Sequence, residues 1–157
     1  MVRRLEREDD RSGFKSGKAD LDRFFLHHAA QEQFLQQIGT TYVAVGDANR
    51  ILGYATVIPS EIAGPPRSKQ SPLPVLRLVR LAVDRRARGK GVGRQLLRAT
   101  VDLALRIGQS VGCEGLVVDA TADAVPFYES LAFIPLEATA GQLGGRLMFL
   151  ELGSVPY

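Results

Sequence analysis

The sequence holds one cysteine, Cys113, and two histidines, His27 and His28. A lone cysteine excludes an internal disulfide and every multi-cysteine zinc site. The two histidines are adjacent, and neighbouring helical positions diverge by about 100°, so they cannot both face one ion from a regular helix. They read as surface or boundary residues, and no metal is expected. Cys113 stands just ahead of an apolar run with no histidine near it in sequence, which suits a small core or boundary residue better than a nucleophile. No run approaches the roughly 18 to 20 uninterrupted apolar residues of a spanning helix, and the segment Met1 to Asp10 has no apolar stretch that could serve as a signal peptide. Membrane insertion is not expected, and a cytoplasmic location is. At 157 residues, 45% hydrophobic and 24% charged, the chain has apolar mass for one core, so residues 1–157 are expected to form a single domain.

Acidic residues are scarce in about one fifth of the chain. From Arg77 to Arg106 nine basic residues face only Asp84 and Asp102, a local charge of +7, and with +3 overall this leaves −4 for the rest. Such a segment suits an anionic partner.

Periodicity places a first amphipathic helix, with a break allowed in it, from Lys18 to about Gln37, with Ser16-Gly17 as its start signal. The β-rich runs Thr41–Val45 and Ile51–Ile58, separated by Gly46 to Arg50, predict a hairpin. Pro59 to Pro74 carries five of the eight prolines and reads as a loop. A strand is expected from Val75 to Val83, a helix from about Gly91 to Ile107 and a buried strand from Leu116 to Ala120. A short helix over Ala122–Leu131, a strand over Phe133–Leu136, a turn at Gly141–Gly145 and a last strand over Leu147–Leu152 complete the reading. Helices interleaved with one mixed sheet define an α/β or α+β domain, a central sheet flanked by helices.

Between the strand and the helix stands Arg88-Gly89-Lys90-Gly91-Val92-Gly93. Glycines here let backbone amides turn toward a phosphate, and the helix N-terminus adds partial positive charge. Two nucleotide loops are missing. No Lys-Ser or Lys-Thr follows the glycines, as a P-loop requires, and Arg94 occupies the place of the third glycine in a dinucleotide fingerprint.

Arg88-x-x-Gly91-x-Gly93 resembles the Gln/Arg-x-x-Gly-x-Gly/Ala loop of the GNAT acetyltransferase superfamily, which wraps the pyrophosphate of acetyl-CoA. The apolar strand ending Arg80-Leu-Ala-Val-Asp84 and the strand Leu116–Ala120 fall in the family's order. Phe127-Tyr-Glu-Ser-Leu-Ala-Phe133 resembles its Phe-Tyr-x-x-x-Gly-Phe signature, with Ala132 where glycine is usual. That alanine implies about 1 kcal/mol of strain or a different turn. The stretch Phe14-x-Ser-Gly-x-x-x-Leu-Asp-x-Phe-Phe25, Thr41–Val45, the proline-rich segment and Ala120–Pro135 extend the resemblance to the acetyltransferase toxins of bacterial toxin/antitoxin pairs, over nearly the whole chain.

The resemblance implies a GNAT-like fold and acetyl-CoA bound through backbone amides of Arg88, Gly89, Lys90, Gly91, Val92, Gly93 and Arg94. It also implies that the backbone of Leu81, Ala82 and Val83 holds the pantetheine arm and acetyl carbonyl, and that Tyr128 is the general acid beside the thioester sulfur. Its partners would be aminoacyl-tRNA and a small DNA-binding antitoxin, with a homodimer as a further possibility. Arg77, Arg80, Arg85 and Arg86, with Lys90, would form a rim for tRNA phosphates. If the strand is regular, the odd separation of Arg77 and Arg80 puts them on opposite faces.

No side chain presents itself as the general base; Glu61 is a fallback, and Asp84 lies at the far end of the strand. A lysine amine, with a pKa of about 10.4, must lose a proton to react, whereas an α-amino group near 7.7 to 8.0 is already substantially neutral at about pH 7.5. The missing base thus favours an α-amino acceptor. A small-molecule or protein amine remains a second reading, since CoA phosphates could consume much of the basic charge. A catalytically idle acyl-CoA-binding module is a third, and the intact Arg88, Gly91, Gly93 and Tyr128 argue against it.

Overall fold

The computed structural model describes residues 1–62, 72–140 and 146–154. In chain order they form β1 (Val2–Arg4), α1 (Ala19–His27), a π-helix (Gln31–Gln36), β2 (Thr40–Val45), β3 (Ile51–Ile62), β4 (Leu73–Val83), α2 (Val92–Ser110), β5 (Gly115–Ala120), α3 (Val125–Glu129), β6 (Ile134–Ala140) and β7 (Arg146–Glu151). The seven strands belong to one sheet in the order β1-β2-β3-β4-β5-β7-β6. The β4–β5 pair is parallel, whereas β1–β2, β2–β3, β5–β7 and β6–β7 are antiparallel, so the sheet is mixed as expected. The chain divides into two compact units, Met1–Ile58 with Val79–Thr100, and Pro59–Leu78 with Val101–Tyr157.

In the first unit the core gathers around Tyr54, which is fully buried. Its ring stacks on Phe25 at 4.5 Å with an interplanar angle of 5°, and Phe14 meets both rings edge-on. Each such aromatic pair contributes roughly 0.5–1.5 kcal/mol beyond its buried area. The phenol donates to the Leu21 carbonyl at 2.6 Å, which pins α1 to β3, and burial pushes its pKa up. His27 and His28 are exposed, in keeping with the sequence.

The predicted break in the first helix is a change of helix type. After His28 the chain widens into the π-helix, and Gln33 turns inward, 5% exposed. Its amide donates to the Leu5 carbonyl at 3.0 Å and its oxygen accepts from the Thr41 amide at 2.8 Å, joining the end of β1 to β2. A π-turn commonly serves to re-aim one side chain in this way.

β1 was not predicted, being three residues long and rich in arginine. Arg3 braces it through a bidentate pair to Asp9 at 2.8 and 2.7 Å. Those bonds from Arg3 outweigh burial and hold the Asp9 carboxyl below its ordinary range.

The segment Pro59 to Pro74 is not one loop, because β3 runs on to Ile62 and β4 begins at Leu73. Proline removes only a donor, so a strand position whose N–H is not needed tolerates it. The Pro74 carbonyl still accepts from the Glu114 amide at 2.8 Å. The middle of the segment and the expected turn at Gly141–Gly145 lie outside the described residues.

In the second unit, β5 is buried along Leu116, Val117 and Val118, between β4 and β7. Leu73, Val75, Val117, Leu147 and Phe149 form its core. Cys113 is a half-buried boundary residue whose thiol donates to the Gly115 carbonyl at 3.3 Å, and burial pushes its pKa up. α3 is shorter than the predicted Ala122–Leu131 because a turn at Thr121–Ala124 precedes it, with Pro126 in its first positions.

Candidate functional site

In the first unit the glycine loop hangs between β4 and α2. β4 pairs with β5 from Val75 to Leu78 and then continues through Leu81, Ala82 and Val83 beyond the last rung. Asp84 closes the strand. Its amide donates to the Leu52 carbonyl at 2.8 Å, and its carboxylate is buried at 3% exposure. Burial alone would raise the Asp84 pKa. Bonds from the Arg86 side chain (3.2 Å), the Arg86 amide (2.9 Å) and the Lys15 amide (3.1 Å) more than offset it and hold the group low. A carboxylate so fully engaged is an anchor for the loop and a poor proton acceptor.

A turn of 3₁₀ helix, Arg85–Ala87, follows with Ala87 buried, and the chain then passes Arg88 into the glycines. Gly89 and Gly91 take φ of +76° and +78°, and a Cβ built at either meets nothing within 4 Å. The left-handed backbone requires glycine there, and the space over it is open. α2 begins at Val92, and the Gln95 amide donates to the Gly91 carbonyl at 3.1 Å. The first amides of a helix have no intrahelical acceptor, so this end presents donors and positive potential beside an open turn. The arrangement fits a pyrophosphate. Val92 is buried, Gly93 half-buried, and Lys90 and Arg94 exposed.

Sequence reasoning missed Gly53 in β3. A Cβ there would lie 2.9 Å from the Ala82 carbonyl oxygen and 3.0 Å from the side chains of both Val92 and Leu96. Its glycine lets β4 and the start of α2 close on β3, and the legible signal was a glycine inside a strand.

The expected arginine rim is unevenly placed. Arg85 and Arg86 are exposed. Arg80 is half-buried with its guanidinium 3.6 Å from the centroid of the Phe24 ring. Arg77, in the second unit, is also half-buried. Its guanidinium lies 3.9 Å from Asp119, and its Nε is buried without a hydrogen-bond partner among the described residues. Glu61 is exposed on β3 and not in a loop. Among the described residues, no group of three or more His, Cys, Asp or Glu could hold a metal ion.

In the second unit Tyr128 sits on α3 at 6% exposure, its ring edge-on to Phe127 at 5.2 Å and to Phe133 at 5.4 Å. Tyr128 is the more buried of the two neighbouring rings, for Phe127 is only half-buried. Burial pushes the phenol up to about 12. Its carbonyl accepts from the amides of Leu131 (3.0 Å) and Phe133 (3.1 Å), which ends α3 in a tight turn.

Ala132 holds that turn with φ of +73°, the left-handed conformation that glycine adopts freely. An L-residue there is strained by about 1–2 kcal/mol, partly offset by the greater unfolded-state entropy of glycine, about 0.5–1 kcal/mol. Ala132→Gly is therefore expected to stabilise the protein by about 0.5–1 kcal/mol, seen as a rise in Tm of about 1–4 °C. A lower Tm would show that contacts of the alanine methyl outweigh the strain.

The strand, open glycine turn and helix start of the first unit suit an acyl-CoA, and sequence comparison gives the family. The chain belongs to the GNAT acetyltransferase family, whose acetyltransferase (GNAT) domain model matches residues 37–135. A tRNA-acetylating toxin of Mycobacterium tuberculosis (strain ATCC 25618 / H37Rv) is 32% identical over 138 residues, spanning 83% of this chain and 82% of that protein. Among solved structures, AtaT complexed with acetyl-methionyl-tRNAfMet superposes with a TM-score of 0.84 at 28% identity, covering 98% of this chain and 95% of that one. A tyrosine-to-phenylalanine mutant of the AtaT toxin, bound to the C-terminus of the antitoxin AtaR and acetyl-CoA, gives 0.82 at 26% identity, covering 98% and 94%.

Proposed function

We propose that this N-acetyltransferase is a toxin that transfers acetyl from acetyl-CoA to the α-amino group of an aminoacyl-tRNA, the whole chain serving as one catalytic domain. The open left-handed turn at Gly89–Gly91 running into α2 carries the acetyl-CoA half of this reading. The acceptor half rests on the likeness to the tRNA-acetylating toxin and to AtaT with acetyl-methionyl-tRNAfMet, and the AtaT complex with the C-terminus of AtaR supports an antitoxin partner. No described helix is long and apolar enough to cross a membrane, and an aminoacyl-tRNA acceptor supports a cytoplasmic enzyme.

In the proposed reaction the backbone amides from Arg88 to Arg94 bind the pyrophosphate, and the backbone of Leu81, Ala82 and Val83 aligns the pantetheine arm and acetyl carbonyl. The neutral amine attacks the thioester carbon, the C–N bond forms and the C–S bond breaks. Tyr128 gives its proton to the departing sulfur and regains one from solvent, while the proton lost by the amine goes to water. No protein base is needed for an amine of pKa about 7.7 to 8.0. Arg85, Arg86 and Lys90, all exposed, supply the rim for tRNA phosphates, Arg86 while its Nε stays on Asp84, whereas Arg77 and Arg80 are half-buried with contacts within the chain.

The purified enzyme is expected to acetylate charged but not uncharged tRNA. Three phosphate contacts imply a loss of tRNA affinity of roughly thirtyfold between about 50 and 200 mM salt. Efficient acetylation of a polyamine, with no transfer to bulk charged tRNA, would overturn the toxin reading and leave a general acetyltransferase.

A further inference from the structure

The stretch Phe14-x-Ser16-Gly17-x-x-x-Leu21-Asp22 has no part in the chemistry above, yet it is stitched to the glycine loop. The Lys15 amide donates to the Asp84 carboxylate, and the Lys15 carbonyl accepts from the Arg85 amide at 2.8 Å. One residue on, the Ser16 carbonyl accepts a hydrogen bond from Nη2 of Arg88. Nη2 lies over Gly17, where a Cβ would meet it at 3.0 Å.

The orientation of the Ser16 carbonyl is itself fixed. Ser16 is 4% exposed, and both its amide (2.9 Å) and its hydroxyl (2.6 Å) donate to Oδ1 of Asp22. The hydroxyl in turn accepts from the Lys18 amide at 3.1 Å, so the residue is locked across the first turn of α1. Asp22, Ser16 and Arg88 thus form a continuous line from α1 to the residue that opens the glycine turn.

We propose that this line is a strut that presets the acetyl-CoA loop, and that Arg88 is a positioning residue whose guanidinium serves the protein backbone and not the phosphates. The inference rests on the proposed acetyl-CoA site. A segment with Gly89 and Gly91 at its centre has much conformational freedom to lose when it closes on a ligand. Fixing Arg88 beforehand removes part of that cost from binding. It also accounts for a serine and an aspartate six residues apart at the entry to α1, where an ordinary cap would have sufficed.

A double-mutant cycle in acetyl-CoA affinity, measured by calorimetry on the full chain, tests the strut. Ser16→Ala and Arg88→Met are each expected to weaken binding about tenfold, the scale of one charge-assisted hydrogen bond. The double variant should be no weaker than either single one, because both break the same line. Ser16→Ala should raise KM for acetyl-CoA and leave kcat at saturation unchanged, a split that general loosening of the fold would not produce. Should Ser16→Ala fail to fold, Asp22→Ala takes its place in the cycle.

Additive weakening of about a hundredfold, or a smaller salt dependence of acetyl-CoA affinity in Arg88→Met than in the wild type, would show that Arg88 contacts phosphate directly and overturn the proposal. Unchanged affinity in a folded Ser16→Ala variant overturns it too, with the acetyl-CoA reading intact. Absence of binding by the wild-type protein removes the acetyl-CoA reading, and the strut with it.

Discussion

Tyr128→Phe is expected to lower kcat by about 10² to 10⁴-fold, the range for loss of a positioned proton donor, while fold and acetyl-CoA affinity are retained. The substitution removes one hydroxyl and keeps the ring that packs edge-on against Phe127 and Phe133. Because burial pushes the phenol up to about 12, the group holds its proton throughout the working range and remains competent to give it. The sign of the pH dependence follows. Activity should rise with pH as the acceptor amine loses its proton near 7.7 to 8.0, with no alkaline fall from Tyr128 until pH approaches its own pKa. Release of free CoA thiol, followed at saturating substrates from about pH 6 to 9.5, measures both effects. Wild-type turnover in Tyr128→Phe would make the residue a packing element and leave the thiolate to take its proton from water.

What could be read from the sequence was the part governed by local pattern. The strand–glycine loop–helix order and the buried β5 reside in short windows where periodicity and glycine placement carry the information, whereas the left-handed demand at position 132 was implied by the family resemblance. The bonds that hold the loop were not legible, because they join distant positions: Lys15 meets Asp84 across 69 residues, and Arg88 meets Ser16 across 72. Ser16-Gly17 was correctly a helix start, but nothing local says that the serine carbonyl serves an arginine elsewhere. Arg77 and Arg80 show the same limit. Alternation along a strand can assign a face, but it cannot show that Phe24 lies beneath one guanidinium and Asp119 beside the other. Gln33 and the π-helix were hidden because the apolar spacing signals a break in the helix but not a change of helix type.

Gly91→Glu is expected to abolish measurable acetyl-CoA binding, a weakening of 10² or more, through two separable causes. The backbone cause is φ of +78°, which strains any L-residue by about 1–2 kcal/mol, and Gly91→Ala reports it alone because nothing lies within 4 Å of the added Cβ. The electrostatic cause is a carboxylate facing the pyrophosphate. One unit of like charge at about 5 Å costs about 3 kcal/mol at an effective dielectric of 20, already more than a hundredfold in affinity. Gly91→Gln shares the strain and nearly the bulk of Gly91→Glu without its charge, so its affinity should fall between those of Gly91→Ala and Gly91→Glu. Acetyl transfer to tRNA should decline with acetyl-CoA occupancy and recover in part at high acetyl-CoA for Gly91→Ala. Calorimetry showing unchanged affinity in a folded Gly91→Glu protein would place the pyrophosphate elsewhere, because no phosphate lying over that open turn could ignore a new negative charge within it.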